Sequence, residues 1–257
     1  MTDPVSSVHE RTWFYEFELP DGTRTESYLP QDAQAVHSTR LEMALSVLEP
    51  HYGQRWDRTD VLDLACHQGW FAAQLARRGA RQVTGMDARA DHVSDSKLIC
   101  RAMELDNTRF VQCDIDALTG HPDIQPAEVV LMLGLIYHLE NPVGAIRAAR
   151  QMCTGHCIIE TQVGPHLSGM LDWGHYEFVR PIQGAFTIID ETDETHANEA
   201  STTGICLAPS AETLLWIMRK VGFSDVALVR PPADGYEQHR HYKRVLAVGR
   251  VPEETAS

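Results

Sequence analysis

Short apolar runs alternate with helix-length segments along most of this chain. Runs at about residues 60–65, 81–86, 109–113, 127–133, 155–161, 224–230 and 243–250 read as buried strands, and helix-length segments separate all but the last pair. That alternation predicts an α/β fold, a mostly parallel sheet covered on both faces and closed by an antiparallel hairpin. Helices are expected near 38–49 with Ser38 as cap, near 90–104, near 142–153 after Asn141-Pro142, and near 211–221 between a capping Ser210 and a terminating Gly222. Residues 11–30 alternate aromatic and polar groups around Pro20-Asp21-Gly22 and read as a hairpin ahead of the core. Trp13, Tyr15 and Tyr28 on it either cover a ligand or pack the hairpin onto the sheet. The stretch from 162 to 207 is too long for an ordinary loop and carries Trp173, His175, Tyr176, Phe178 and Phe186 among glycines and prolines, so it reads as a substrate-covering insertion. The chain then divides into a lid segment (1–37), a ligand-binding part (38–161), the insertion (162–207) and a C-terminal part (208–257), with loose tails at 1 to about 10 and 251–257.

The densest chemical information lies between Asp60 and Asp87, in D-V-L-D-L-A-C-H-Q-G-W-F-A-A-Q-L-A-R-R-G-A-R-Q-V-T-G-M-D. A strand delivers Asp63 to its C-terminal edge, a turn ends at Gly69, a helix follows, and a second strand ends in Asp87. An acid at that last position can accept hydrogen bonds from both hydroxyls of a ribose. A pyrophosphate cofactor needs closely spaced glycines so that backbone amides can approach it, and here Ala65, Cys66 and His67 precede Gly69. The turn suits a nucleoside cofactor without phosphates, and S-adenosylmethionine meets that description.

With these residues the chain resembles the class I S-adenosylmethionine-dependent methyltransferases. Asp63, Ala65, Cys66 and Gly69 occupy the family's first motif, and Asp87 the place of its ribose-binding acid. Phe110-Val111-Gln112-Cys113-Asp114, followed by Ile115, looks like the third strand with the acid that faces adenine. Val129–Gly134, with Leu133, looks like the fourth strand lining the transfer site. Leu133-Gly134-Leu135-Ile136-Tyr137-His138-Leu139-Glu140-Asn141-Pro142 is similar to a stretch in the tRNA wobble-uridine carboxymethyltransferase group and its small-molecule relatives. The resemblance covers roughly residues 38–250. It implies a seven-stranded Rossmann-like methyltransferase sheet with an insertion after the fifth strand, S-adenosyl-L-methionine as cofactor, and a methyl acceptor beside the fourth strand. That group carries two arginines where this chain has Leu139 and Glu140, and it has a longer N-terminal region. Both departures weaken the case for a carboxylated cofactor and an RNA substrate.

His138 is the leading candidate for a general base, because histidine exchanges protons near neutral pH. The alternative is a histidine that bonds the backbone or packs on the cofactor. Tyr137 adjoins it. Glu160, at the end of the fifth strand, points to the same rim as a catalytic carboxylate or as an orienting acceptor, and Arg40 could pair with the cofactor's carboxylate. His67 reads as shaping its turn, and His175, Tyr176 and Glu177 as insertion residues that face either the acceptor or solvent. Asp190, Glu191, Asp193, Glu194 and His196 form an acidic cluster matching no calcium or zinc loop, and His239 and His241 lack a third ligand, so no metal is expected.

Composition narrows the partner. A net charge of −14 without a basic run disfavours nucleic acid and leaves a small-molecule acceptor. Six cysteines without a CxxC pair read as reduced core thiols, and no apolar run approaches membrane-spanning length, so a cytoplasmic protein is expected. Oligomeric state leaves no trace in the sequence. Beside a small-molecule O- or N-methyltransferase stand two alternatives: a wobble-uridine carboxymethyltransferase-like enzyme, and a non-catalytic methyltransferase-like protein whose degenerate turn serves binding.

Overall fold

In the computed structural model the described residues are 4–171, 180–191, 201 and 203–252. The strands are β1 (Asp60–Leu64), β2 (Gln82–Asp87), β3 (Thr108–Gln112), β4 (Ala127–Leu133), β5 (Cys153–Gln162), β6 (Ser168–Leu171), β7 (Arg180–Gln183), β8 (Phe186–Asp190), β9 (Ile205–Pro209), β10 (Ser224–Val229) and β11 (Arg244–Arg250). The helices are α1 (Pro4–His9), α2 (Gln31–Tyr52), α3 (Trp70–Arg77), α4 (Ala90–Ala102), α5 (Pro142–Met152), α6 (Ala211–Lys220) and α7 (Glu237–Arg240).

The seven expected strands form one sheet in the order β3–β2–β1–β4–β5–β11–β10. β11 runs antiparallel to both neighbours, and the other pairings are parallel. Strand order reverses between β1 and β4, which opens a crevice beyond their carboxyl ends. Side-chain alternation splits the core into two layers. Val61, Val129 and Leu131 face the layer of α2, α3 and α4, while Leu62, Leu64, Val130 and Met132 face that of α5 and α6. Each such side chain fully buried contributes about 1.5–3 kcal/mol. The six cysteines are buried and unbridged.

Two helices behave as their caps dictate: Asn141 accepts from the Gly144 N–H and Ser210 from the Thr213 N–H. The first long helix starts earlier than 38. It begins after Pro30, and Ser38 lies inside it, bonding back to Ala35 O at 3.2 Å. The polar opening turns Gln31-Asp32-Ala33-Gln34 carry no apolar stripe to announce them. Residues 4–9 form α1, which buries Val8, where a loose tail was expected.

The N-terminal segment is an irregular hairpin. Its tip turns at Gly22 (φ +83°), and its arms meet through the isolated bridges Trp13–Ser27 and Glu18–Arg24 and hydrogen bonds such as Thr25 N–H to Phe17 O (3.0 Å) and Tyr28 N–H to Trp13 O (2.9 Å), without forming a continuous ladder. Its backbone is also bonded to the turn before α3 and to α3 itself. Phe14 N–H donates to Gln68 Oε1 (2.8 Å), Trp70 Nε1 to Glu16 O (3.1 Å) and Arg77 to Glu18 O (2.5 Å). The alternate residues Trp13, Tyr15, Phe17 and Leu19 are buried beneath. Between β5 and α6 the chain forms two antiparallel pairs, β6–β7 and β8–β9. Trp173, His175, Tyr176, Glu177, Phe178, Asp193, Glu194 and His196 lie outside the described residues.

Candidate active site

The turn after β1 takes left-handed backbone at alternate residues: Ala65 (φ +55°), His67 (φ +52°) and Gly69 (φ +79°). Only the last is glycine. A Cβ there would lie 3.0 Å from Ser96 Cβ and 3.1 Å from Phe110 Cε1, so this glycine serves close packing as well as φ. Ala65 and His67 carry roughly 1–2 kcal/mol of strain each. Hydrogen bonds hold them there: Cys66 N–H to Met86 O at 2.8 Å, Gly69 N–H to Cys66 O at 2.8 Å, and His67 N–H to Asp87 Oδ2 at 2.9 Å.

Asp87 ends β2 and faces this turn. Its Oδ1 accepts from Arg89 N–H (2.9 Å) and His92 Nδ1 (3.2 Å). Burial works against the charge, but the hydrogen bond and charge of His92 with the two backbone donors outweigh it and hold the carboxyl below its ordinary range. His92 comes from the first turn of α4, and its ring lies 3.9 Å from that of His67.

A cavity of about 860 Å³ opens here. Ala65, Asp87, Asp114, Ile115, Leu133 and Arg40 form part of its wall, as do Tyr137 and His138. Phe14, Tyr15 and Tyr28 line it from the N-terminal segment. Trp13 does not reach it; that indole is fully buried and donates to Val8 O at 2.9 Å.

Four of the expected site residues lie behind the wall. Gly69 packs against Ser96 and Phe110, and the Cys66 thiol faces Ser96 Oγ at 4.0 Å in the core. Asp63 is 2 % exposed, and burial pushes its carboxyl up to about 7, against a hydrogen bond from the Ala72 backbone. Its Oδ2 has no hydrogen-bond partner among the described residues.

Glu160, expected at the rim, is instead fully enclosed. Its carboxylate meets Arg40 Nη2 at 3.0 Å, His239 Nε2 at 2.9 Å and Arg244 Nη1 at 3.4 Å. Burial opposes its ionisation, yet Arg40, Arg244 and His239 together hold it far below the usual carboxylate range. His239 reaches it from α7, where a hairpin turn was expected. Arg244 also donates to Tyr137 Oη at 3.2 Å and lies 5.1 Å from the tyrosine ring centroid.

His138 follows β4 in a short turn, Ile136–His138, and its Nδ1 lies 2.7 Å from Glu191 Oε2, just after β8. Sequence reasoning had counted Glu191 among an acidic run. Among the described residues no group of three or more His, Cys, Asp or Glu side chains could hold a metal ion, and no helix is long and apolar enough to cross a membrane.

Residues 38–228 match the family model described as a methyltransferase domain, and the chain belongs to that family. It is 22% identical to the tRNA U34 carboxymethyltransferase of Idiomarina loihiensis over 185 residues, 70% of this chain and 50% of that protein. It is 24% identical to the ubiquinone biosynthesis O-methyltransferase of Vibrio cholerae over 198 residues, 69% of this chain and 75% of that protein. The chain thus spans about half the length of the carboxymethyltransferase, and 34% of another from Trichodesmium erythraeum. Among solved structures, the N-terminal domain of EvdMO1 with SAH bound superposes with a TM-score of 0.68 at 16% identity, covering 98% of both chains. An S-adenosylmethionine-dependent methyltransferase from Mesorhizobium loti gives 0.56 at 16% identity, with 84% and 99% covered. These likenesses show the fold, the Rossmann-like methyltransferase sheet expected from the sequence.

Proposed function

We propose that this chain is an S-adenosylmethionine-dependent methyltransferase that methylates oxygen or nitrogen of a small-molecule acceptor. The observation that carries this reading is one cavity lined both by the Asp87-braced turn and by His138. The donor set fits the cofactor. Asp87 offers a buried, ionised carboxylate to a ribose, and Asp114 and Ile115 stand on the wall where an adenine would lie. The Nε of Arg40, on the cavity wall, is buried without a hydrogen-bond partner among the described residues, a cationic group that the cofactor's carboxylate can meet. No phosphate is called for, since Ala65 and His67 carry side chains where backbone amides would have to approach one.

When bound, the sulfonium supplies an electrophilic methyl group. Everything left to the protein is orientation, exclusion of water and proton transfer. Tyr137, fixed by Arg244, holds the turn that presents His138, and His138 accepts the proton that a hydroxyl or amine sheds. Phe14 and Tyr28 cover the cavity from the N-terminal side. A net charge of −14 supports a small acceptor over RNA.

Calorimetric titration with S-adenosylmethionine and S-adenosylhomocysteine, followed by transfer of a labelled methyl to a panel of small hydroxyl and amino compounds, tests the reading. Absence of binding at millimolar cofactor sinks it, and labelling of tRNA rather than any small compound transfers it to the carboxymethyltransferase relatives.

A further inference from the structure

We infer that Glu191, contributed by the segment inserted after β5, is a positioning residue that fixes the tautomer of His138 and makes the insertion part of the proton-transfer apparatus. This rests on the reading of His138 as general base.

Glu191 is 6 % exposed, and its Oε2 receives three donors: His138 Nδ1 at 2.7 Å, the Ser201 N–H at 2.8 Å and the Cys206 thiol at 3.2 Å. Burial disfavours its charge, but the hydrogen bond and charge of His138, with the Ser201 and Cys206 donors, hold the carboxyl below its ordinary value. An ionised carboxylate only accepts hydrogen bonds, so the proton of the neutral imidazole belongs on Nδ1. The ring's proton chemistry is thereby directed to Nε2, with His138 on the cavity wall.

As an acceptor oxygen or nitrogen forms its bond to the methyl carbon, the carbon–sulfur bond breaks onto sulfur. The acceptor's proton passes to Nε2, and the resulting imidazolium faces the carboxylate of Glu191. A buried carboxylate against the far nitrogen of a histidine base serves both to orient the ring and to stabilise the cation. The two residues are 53 positions apart in the chain. Among the described residues, the other titratable groups around the pair include Tyr137, whose ring centroid lies 4.1 Å from that of His138, Cys206, whose thiol burial pushes up to about 11, and Asp190, whose charge acts on that thiol. Arg244 stands beyond Tyr137.

Nitrogen-15 NMR of the cofactor-free protein, with His138 assigned by its disappearance in His138→Asn, reads the tautomer directly. The native protein should show Nδ1 protonated and Nε2 unprotonated at neutral pH. Glu191→Gln should lose that preference, and Glu191→Asp should retain it. Unchanged His138 signals in Glu191→Gln overturn the inference. On an acceptor found with the labelled-methyl panel, Glu191→Gln should lower kcat about 10–100-fold, as loss of a partner orienting a functional histidine does. It should also move the acid limb of the pH profile to lower pH and leave cofactor affinity within twofold. If His138→Ala is inactive while Glu191→Gln matches the native rate and profile, the positioning role fails and the base survives. If His138→Ala retains the native rate, the base reading itself fails.

Discussion

The part of the cavity proposed for the cofactor and the part proposed for the acceptor are built in different ways. The first comes from continuous chain, from Ala65 through Asp87 and His92 to Asp114, where three adjacent parallel strands and their turns bring everything together through backbone hydrogen bonds. The second is assembled from distant pieces: Tyr137 and His138 after β4, Glu191 after β8, and His239 of α7 and Arg244 of β11, which meet on Glu160. Backbone conformation dominates one part and side-chain charge the other. A strained turn can hold residues other than glycine if a neighbouring carboxylate braces it, whereas a buried carboxylate tolerates its burial only if remote cations arrive together.

The sharpest break between the two parts should come from His138→Ala, which should cut kcat by about 10²–10⁴ and leave the cofactor dissociation constant, measured by calorimetry, within twofold. Next, Glu160→Ala should cost about 3–5 kcal/mol of stability in urea denaturation by stranding Arg40 and Arg244; a loss under 1 kcal/mol would mean the cluster is not the keystone of the acceptor part. Asp63 gives a pH test. Its folded pKa of about 7 exceeds its ordinary 3.8, so the native state holds a proton that the unfolded chain has released. Stability must therefore fall as pH rises through that window and level off above about 7, and Asp63→Asn should remove this component of the slope. Asp87→Ala should weaken cofactor binding by about 1.5–3 kcal/mol, the worth of hydrogen bonds to a charged group, with kcat at saturating cofactor less affected; equal affinity would remove Asp87 from the ribose. The smallest effect should be Ala65→Gly, which relieves a positive φ and should raise the melting temperature by about 2–4 °C per kcal/mol gained. A fall would show that the alanine methyl packs against something worth more than the strain.

The same contrast explains what could be read in advance. Apolar runs, an acid at the end of β2 and caps such as Asn141 and Ser210 are local signals, and the strands and Asp87 lie where they pointed. The acid after β1 was legible as a residue but not as an environment, since Asp63 sits behind the turn. His92 could have been found as a polar residue in the first turn after Asp87. Glu160 misled because a strand end suggests a rim, while burial depends on Arg40, His239 and Arg244, none of them near in sequence. Glu191 was marked only as one of an acidic run; the β8–β9 pairing brings it beside Cys206 and against His138.

The cluster around Glu160 also sets an order of events during synthesis. Arg40 and Glu160 leave the ribosome well before His239 and Arg244, which belong to the final short helix and the last strand. Until β11 slides in antiparallel beside β5, Glu160 has one cation where the finished protein gives it more, and Tyr137 lacks the guanidinium that steadies it. A nascent chain can thus shape the turn after β1 early, but the cluster around Glu160 waits for β11. That late, long-range closure makes refolding slower than the local β1–β3 contacts alone would allow.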